Sequence, residues 1–301
     1  MLQQTPPKKN NIASVIITFN PDEHFPSHVR ALSPQVEQIT IVDNASTDEN
    51  FTFISEAQKQ NSNVLIMKNS QNQGIAQALN KGMRYALENG FSWILLMDHD
   101  SHAADYMVKA LIEAYQEAKR QNLILDLIGV NFTHQKTGTV AFAKECNDCI
   151  FIKKTGIQTS GSLLSQNAYT KVGPFREDFF IDYVDTEYCL RLKHKGFHSA
   201  ISCRAHMSHT IGVPNEIKFM GKSVSVKNYN QLRRYYRTRN GFTLMREYVF
   251  KEPLWVFTKI LFLAQEWLIL FTAEKNKREK LKSILHGVKD YISKNMGKHT
   301  L

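Results

Sequence analysis

Asp98 and Asp100, separated by one histidine, directly follow the apolar run WILLM at residues 93–97. Two carboxylates at the end of a buried strand are hard oxygen donors. They can hold a divalent cation, magnesium or manganese, that bridges the two phosphates of a nucleoside diphosphate. A lone DxD is common; its position after a strand-like run makes it specific. Asp43 closes a similar run, QITIV at residues 38–42, and offers two acceptors to a base imide N–H or to sugar hydroxyls. Cys146-x-x-Cys149, Cys203 and His206-x-x-His209 have side chains suited to zinc, but they lie in separate segments with irregular spacing. An ordinary hydrogen-bonded role for His206 is the simpler expectation. Residues 233–240 (RRYYRTRN) interleave cations with aromatics, a pattern that suits nucleic acid. The stretch also continues a helical pattern through Leu232, Tyr235, Tyr236, Phe242 and Met245, which places some of its aromatics in a core.

The elements that must position these residues alternate. Residues 13–19, 38–42, 64–67 and 93–97 are apolar, β-branched runs of strand length. Between the last two, residues 74–89 place Ile75, Leu79, Met83, Ala86 and Leu87 on one helical face. Strands alternating with helices predict a mostly parallel sheet covered on both faces, with ligands collecting at the carboxyl ends of the strands. Each run ends in a polar segment: Thr18-Phe19-Asn20, then DNASTD at 43–48, NSQNQG at 69–74 and DHDS at 98–101. Singly, each could be a turn or a helix cap, and Asp48 suits the cap role better than Asp43. Together, on one side of one sheet, they predict a site. No GxGxxG follows the first strand and no GxxxxGK[ST] occurs, so the two common phosphate-cradling loops are missing and the DxD cation is the remaining device.

The chain has 301 residues, 43% apolar and 22% charged, which excludes a disordered, collagen-like or disulfide-scaffold protein. Residues 201–301 hold 19 Lys+Arg and 7 Asp+Glu, whereas residues 1–200 hold 19 and 21. A near-neutral body with a basic final third points to an anionic partner at that end. Four cysteines suggest a reducing compartment rather than disulfide stapling, and the opening MLQQTPPKKN is not expected to act as a secretory signal.

The ordered set VIITFN, IVDNASTD, NQGIAQALNKG and WILLMDHDS resembles the inverting family 2 glycosyltransferases. TSGSLLS, VGPFREDFFIDYVDTEYCLRLKHKGF, HTIG and RRYYRTRN are similar to the rhamnosyltransferase branch of that family. The similarity covers residues 12–245, with a weaker echo in ILHGVKDYISKNMGK; His99 stands where this branch more often carries Gln. The resemblance implies an α/β fold of the GT-A (Rossmann-like) type, with a mostly parallel central sheet and a helical C-terminal appendage. It implies that Thr18, Asn20, Asp43 and Asn44 line a nucleoside pocket bordered by Asn72, Gly74 and Asn80. Asp98 and Asp100 would bind donor and metal, with His209 completing the coordination. Asp185, six residues before Arg191, aligns with the general base, and Asp182 is the alternate. Glu187 and Arg191 read as a helix-surface ion pair. Tyr236 and Arg239 would lie over the donor diphosphate. The implied reaction moves a sugar, L-rhamnose from dTDP-β-L-rhamnose, onto a saccharide or lipid-linked saccharide; a UDP-hexose or UDP-galactofuranose is the alternative donor.

Residues 254–273 are the most hydrophobic stretch, with polar positions Thr258-Lys259, Gln265-Glu266 and Thr272 recurring every seven residues. One narrow polar stripe on a broad apolar helix predicts an in-plane interfacial helix. The five basic and two acidic residues of 274–282 suit anionic headgroups. A helix packed on protein, or on a second copy in a homodimer, is the alternative. The resulting expectation is a disordered terminus at 1–11 and a catalytic domain at 12–250, with a nucleotide-binding half (12–101) and an acceptor half (102–250). A basic amphipathic region at 251–301 would hold the protein peripherally on the inner face of the cell membrane. Nucleic acid is not expected as a partner, because the DxD and FIDYVD acids would repel it.

Overall fold

The computed structural model describes residues 4–134, 138–209, 215–219, 222–226, 229–274 and 276–299. In order, the elements are β1 (Ile12–Thr18), α1 (Phe25–Leu32), β2 (Gln38–Asp43), α2 (Asp48–Gln60), β3 (Val64–Lys68), α3 (Ile75–Glu88) and β4 (Trp93–Asp98). Then come β5 (Ser101–Ala103), α4 (Met107–Arg120), β6 (Leu127–His134), β7 (Phe151–Lys153), β8 (Ser162–Ser165), α5 (Gln166–Val172), α6 (Val184–His194) and β9 (Ser199–His209). Last are β10 (Asn215–Phe219), β11 (Lys222–Val226), α7 (Gln231–Tyr248), α8 (Pro253–Ala273) and α9 (Lys277–Ser293).

Among the described residues, nine strands form one sheet in the order β3-β2-β1-β4-β8-β6-β9-β5, with β7 beside β9. The first four run parallel; β8 enters antiparallel between β4 and β6. Every residue of β1 is buried, as a strand covered on both faces requires. α3 lies on β1 at unusually short range. A Cβ at Gly82 would stand 2.4 Å from Val15 Cγ1, so only glycine permits the contact. α4 buries Met107, Leu111, Ala114 and Tyr115, the last packed edge-on against Trp93 at 5.3 Å.

Several expectations are revised. The N-terminal segment is not loose from residue 4 onward: Trp93 Nε1 donates to Thr5 O at 2.8 Å, and Gln4 Nε2 donates to Asp126 Oδ1 at 3.1 Å. The cap of α2 is Thr47, whose hydroxyl accepts from Asn50 N, and Asp48 occupies the first turn. Cys146 and Cys203 are joined in a disulfide across 57 residues, because the turns after β6 fold back over β9. That contradicts the reading of four reduced cysteines. It also removes two of the candidate zinc ligands, and His206 Nδ1 is instead 3.2 Å from Asn131 O.

The chain divides into two units, Met1–Glu177 with Val184–Ile211 and Asp178–Tyr183 with Gly212–Leu301. In this division α7 groups with α8 and α9, whereas the boundary expected from the sequence falls at 250. In this second unit α9 crosses α7 at Gly287, where a Cβ would stand 2.7 Å from Tyr235 O. The Asn240 amide donates to the carbonyls of Phe179, Ile181 and Asp182 at 2.9–3.0 Å, tying the 178–183 loop to α7. α8 is mostly exposed, with Leu254, Phe257, Phe262, Leu268 and Phe271 each more than half open to solvent.

Candidate active site

The carboxyl ends of β1, β2 and β3 are joined by one polar network. Thr18 pairs with Asp43 across the two strands, and its hydroxyl donates to Asp43 Oδ1 at 3.1 Å. Asp43 is fully buried and also accepts from Ser46 N at 3.2 Å and from the Ser46 hydroxyl. Asn44 N donates to Thr18 O at 2.8 Å, and its side chain spans to Gly74 O, Asn69 and Gln73 N at 3.0–3.2 Å. Asn20, exposed and at φ 50°, accepts from Thr47 N at 2.9 Å. Asn72 Oδ1 accepts from Gly74 N at 2.9 Å, where Gly74 (φ 86°) turns the chain into α3. The structure thus brings Thr18, Asn20, Asp43, Asn44, Asn72 and Gly74 together. In this arrangement the buried Asp43 carboxylate organises the loops, while Asn20 is open to solvent.

Asn80 does not join them. Its amide is fully engaged elsewhere: Nδ2 donates to Phe175 O at 2.8 Å and Glu177 Oε1 at 2.9 Å, while Oδ1 accepts from Tyr169 and Phe175 N. It clamps the segment after α5 rather than bordering a pocket.

Asp98 ends β4, paired with Ile17 of β1. Its N–H donates to Ser160 Oγ at 3.0 Å, and that hydroxyl meets Ser101 Oγ at 2.8 Å. The turn after Asp98 is fixed from the other side by His28, whose Nδ1 lies 3.0 Å from His99 O. Asp98, His99 and Asp100 are all half-buried. β5 pairs with β9 so that Ser101 sits opposite His209, one residue from Asp100; the His209 imidazole and the rest of HTIG lie outside the described residues. Among the described residues no third His, Cys, Asp or Glu joins the pair as a closed metal cage. Two half-buried carboxylates at a strand end fit magnesium or manganese shared with a diphosphate, and do not fit a soft-metal site.

Asp185 lies in the first turn of α6 and shares a cavity wall with Leu96, Thr159, Ser162 and Tyr188. Leu96 is two residues before Asp98, and Gly161 N donates to Leu96 O at 2.8 Å. The TSGS turn is therefore bonded to the DxD strand, and its Thr159 and Ser162 share a cavity lining with Asp185. α6 is held by Glu187 and Arg191, bonded through two contacts at 2.8–2.9 Å, with Arg191 also donating to Val172 O and Pro174 O. Glu187 is only 5% exposed, so this pair is an interior anchor and not the surface pair expected. Burial pushes the neighbouring Cys189 thiol up to about 12, which leaves it inert.

The remaining predicted residues belong to the second unit and have structural partners. Asp182, at φ 63°, is bound by Arg233 Nη2 at 2.7 Å and Nε at 3.2 Å, with Arg237 at 3.9 Å. A carboxylate committed to two arginines is a poor alternate base. Arg239 is 1% exposed and donates to the carbonyls of Gly297 and Asp178 at 2.8 and 3.0 Å. Tyr236 stacks on Phe180 and accepts from His299 N at 2.8 Å. Both pin the C-terminal tail rather than a diphosphate. Sequence reasoning left Ser46 and Ser160 without roles, although both hold site backbone; the only signal was a serine beside each strand end.

A mostly parallel sheet carrying acidic and amide side chains on its carboxyl edge, with a DxD at the end of β4 and a helix-borne carboxylate that shares a cavity with the same strand, is the arrangement of a GT-A nucleotide-sugar transferase. Residues 15–173 match the family described as Glycosyl transferase family 2. The dTDP-rhamnosyl transferase RfbF of Shigella flexneri is 30% identical over 305 residues, covering 94% of this chain and 96% of that protein. The chain belongs to glycosyl transferase family 2. Mannosyltransferase PcManGT from Pyrobaculum calidifontis, solved with GDP-Man and Mn2+, shares the fold with a TM-score of 0.57 at 11% identity, over 96% of this chain and 90% of that one. S. aureus TarS 1-349 in complex with UDP-GlcNAc gives 0.58 at 14% identity, over 94% and 81%.

Proposed function

We propose that the protein transfers L-rhamnose from dTDP-β-L-rhamnose, with inversion, to a lipid-linked saccharide in the synthesis of a bacterial surface polysaccharide or O-antigen. The observation that carries this reading is that Asp98 ends β4, with Asp100 two residues on, while Asp185 lines a small cavity together with Leu96 of the same strand. The donor assignment draws its support from the likeness to a dTDP-rhamnosyl transferase along nearly the whole chain.

In this reading an acceptor hydroxyl attacks the anomeric carbon as the bond to the diphosphate oxygen breaks. Asp185 takes the hydroxyl proton, and dTDP leaves with the electron pair. Asp98 and Asp100 would hold a Mg2+ or Mn2+ ion, which when bound offsets the negative charge gathering on the diphosphate. The loops organised by Asp43 and Asn44 would receive the nucleoside. Ser160 and His28 fix the backbone around the DxD, so the carboxylates need no reorganisation during the reaction.

The acceptor reading is supported by α8, whose Pro253–Thr272 stretch has a mean hydropathy of 1.6 and is long and apolar enough to cross a membrane. Glu266 on this helix is ion-paired to Arg234 and Arg237, which favours a helix lying in the plane of the inner membrane face over one that spans it. The test is nucleotide release with dTDP-rhamnose, Mg2+ or Mn2+ and a lipid-diphosphate saccharide. Turnover is expected; release from a UDP-sugar with none from dTDP-rhamnose would remove the donor and keep the class.

A further inference from the structure

Between α7, α8 and the 178–183 loop lies a cavity of about 410 Å³ whose lining is both cationic and apolar. Its lining mixes the cations Arg234, Arg237 and Lys259 and the phenols Tyr183 and Tyr229 with the apolar Phe262, Leu263 and Ile269 of α8, and it also includes Gln265, Glu266 and Glu274. Arg234 is 4% exposed, and it donates through its terminal nitrogens to Glu266 at 3.3 Å and to Glu274. Arg237 donates to the other oxygen of Glu266 at 2.5 Å. The Nε–H groups of both arginines are buried and have no hydrogen-bond partner among the described residues. Buried donors are almost always satisfied, so two unpartnered ones on arginines that line one cavity leave hydrogen-bonding capacity that an acceptor-rich group could take up if these side chains shift on binding.

The charge balance agrees. Among the described residues, five cations (Arg233, Arg234, Arg237, Lys259 and Lys280) stand with three carboxylates (Asp182, Glu266 and Glu274). The two glutamates in the wall are each held by two cations, so neither repels an incoming anion with a full charge. The Tyr229 ring lies 4.3 Å from the Arg237 guanidinium carbon and keeps it in place. Burial pushes the Tyr183 hydroxyl up to about 12, so it remains a proton donor at neutral pH. A bare anion would leave Phe262, Leu263 and Ile269 wet, and a purely apolar molecule would leave the arginines without an acceptor.

We propose that this cavity binds a phosphate or diphosphate group carried on an apolar chain, the tail running along the exposed face of α8. Its role as the anchor of a lipid-linked acceptor rests on the transferase reading above; the binding itself does not. The test is calorimetry on the full chain in EDTA with saturating dTDP, so that a divalent-dependent donor site cannot report. The probes are geranyl diphosphate, inorganic pyrophosphate and geraniol. Geranyl diphosphate should bind at least tenfold more tightly than pyrophosphate, and geraniol should not bind. Arg237→Lys, which keeps the charge and removes the Nε–H, should weaken geranyl diphosphate at least tenfold, while Asp100→Ala should leave that binding intact. If Arg237→Lys lowers the melting temperature, Lys259→Gln supplies the same comparison without disturbing the Glu266 pairs. Equal affinity for pyrophosphate would assign the cavity to a free anion, and unchanged affinity in both variants would place the ligand elsewhere; either overturns the proposal. Loss of donor turnover alone, with geranyl diphosphate binding intact, would count against the transferase reading and not against this site.

Discussion

Asp185 and Asp182 are three residues apart and chemically identical, yet their surroundings separate them. Asp182 is locked to Arg233 and near Arg237, with its side chain 5% exposed. Asp185 lines a small cavity that also touches Leu96 of β4. Asp185→Asn is expected to lower kcat on the order of 10³-fold with donor affinity retained, the scale of a lost general base. Asp182→Asn should lower thermal stability more than it lowers kcat. Measuring both variants by nucleotide release and by melting separates the roles; the reverse pattern would exchange them. The strand-end residues were legible because each ends an apolar run. The roles of Tyr236 and Arg239 were not, because an arginine-rich helix face reads alike whether its cations meet phosphate or backbone carbonyls.

At the scale of elements, α6 carries the proposed base, and Arg191 decides where α6 sits. Its guanidinium joins buried Glu187 to the Val172 and Pro174 carbonyls. Arg191→Ala leaves that carboxylate and those carbonyls without their donor, at an expected loss of about 2 kcal/mol. Urea unfolding checks it, and a change within about 0.5 kcal/mol would return the pair to a surface role. A second element contact is set by acid. Burial opposes the charge on Asp290 of α9, but the Tyr235 hydroxyl, Asn295, His299 and Arg239 prevail and hold its carboxyl below the usual range. Because the folded value is the lower one, the contact stabilises above the ordinary carboxylate range and is lost as pH falls through the depressed value. The melting difference between wild type and Asp290→Asn should therefore shrink to nothing in acid; a difference that grows as pH falls would contradict this sign.

At the scale of the molecule, the basic stretch from Gly212 onward and the exposed face of α8 belong to the same unit. Apolar area and cationic charge together predict binding to anionic vesicles that falls with salt and is weak on neutral lipid. Cosedimentation of the full chain with phosphatidylglycerol vesicles, with and without high salt, reads this. Phe257→Asp with Phe271→Asp should abolish the salt-resistant part. A soluble dimer whose dissociation exposes the same face, with no vesicle binding, would assign the helix to a second copy instead.

The sequence alone determined the mostly parallel β-α core, the acidic strand ends and the apolar helix α8, because these depend on local periodicity and on the residues immediately after each strand. It also ordered the site residues along the chain. Only the tertiary structure decided which of them meet. It turned Asn80 and Glu187–Arg191 into interior clamps, joined Cys146 to Cys203, and drew Arg239 and Tyr236 away to the C-terminal tail. The physical reason is that an amide, a thiol or a guanidinium has the same bonding capacity in any context. Which partner satisfies it depends on segments tens of residues away that burial brings within reach.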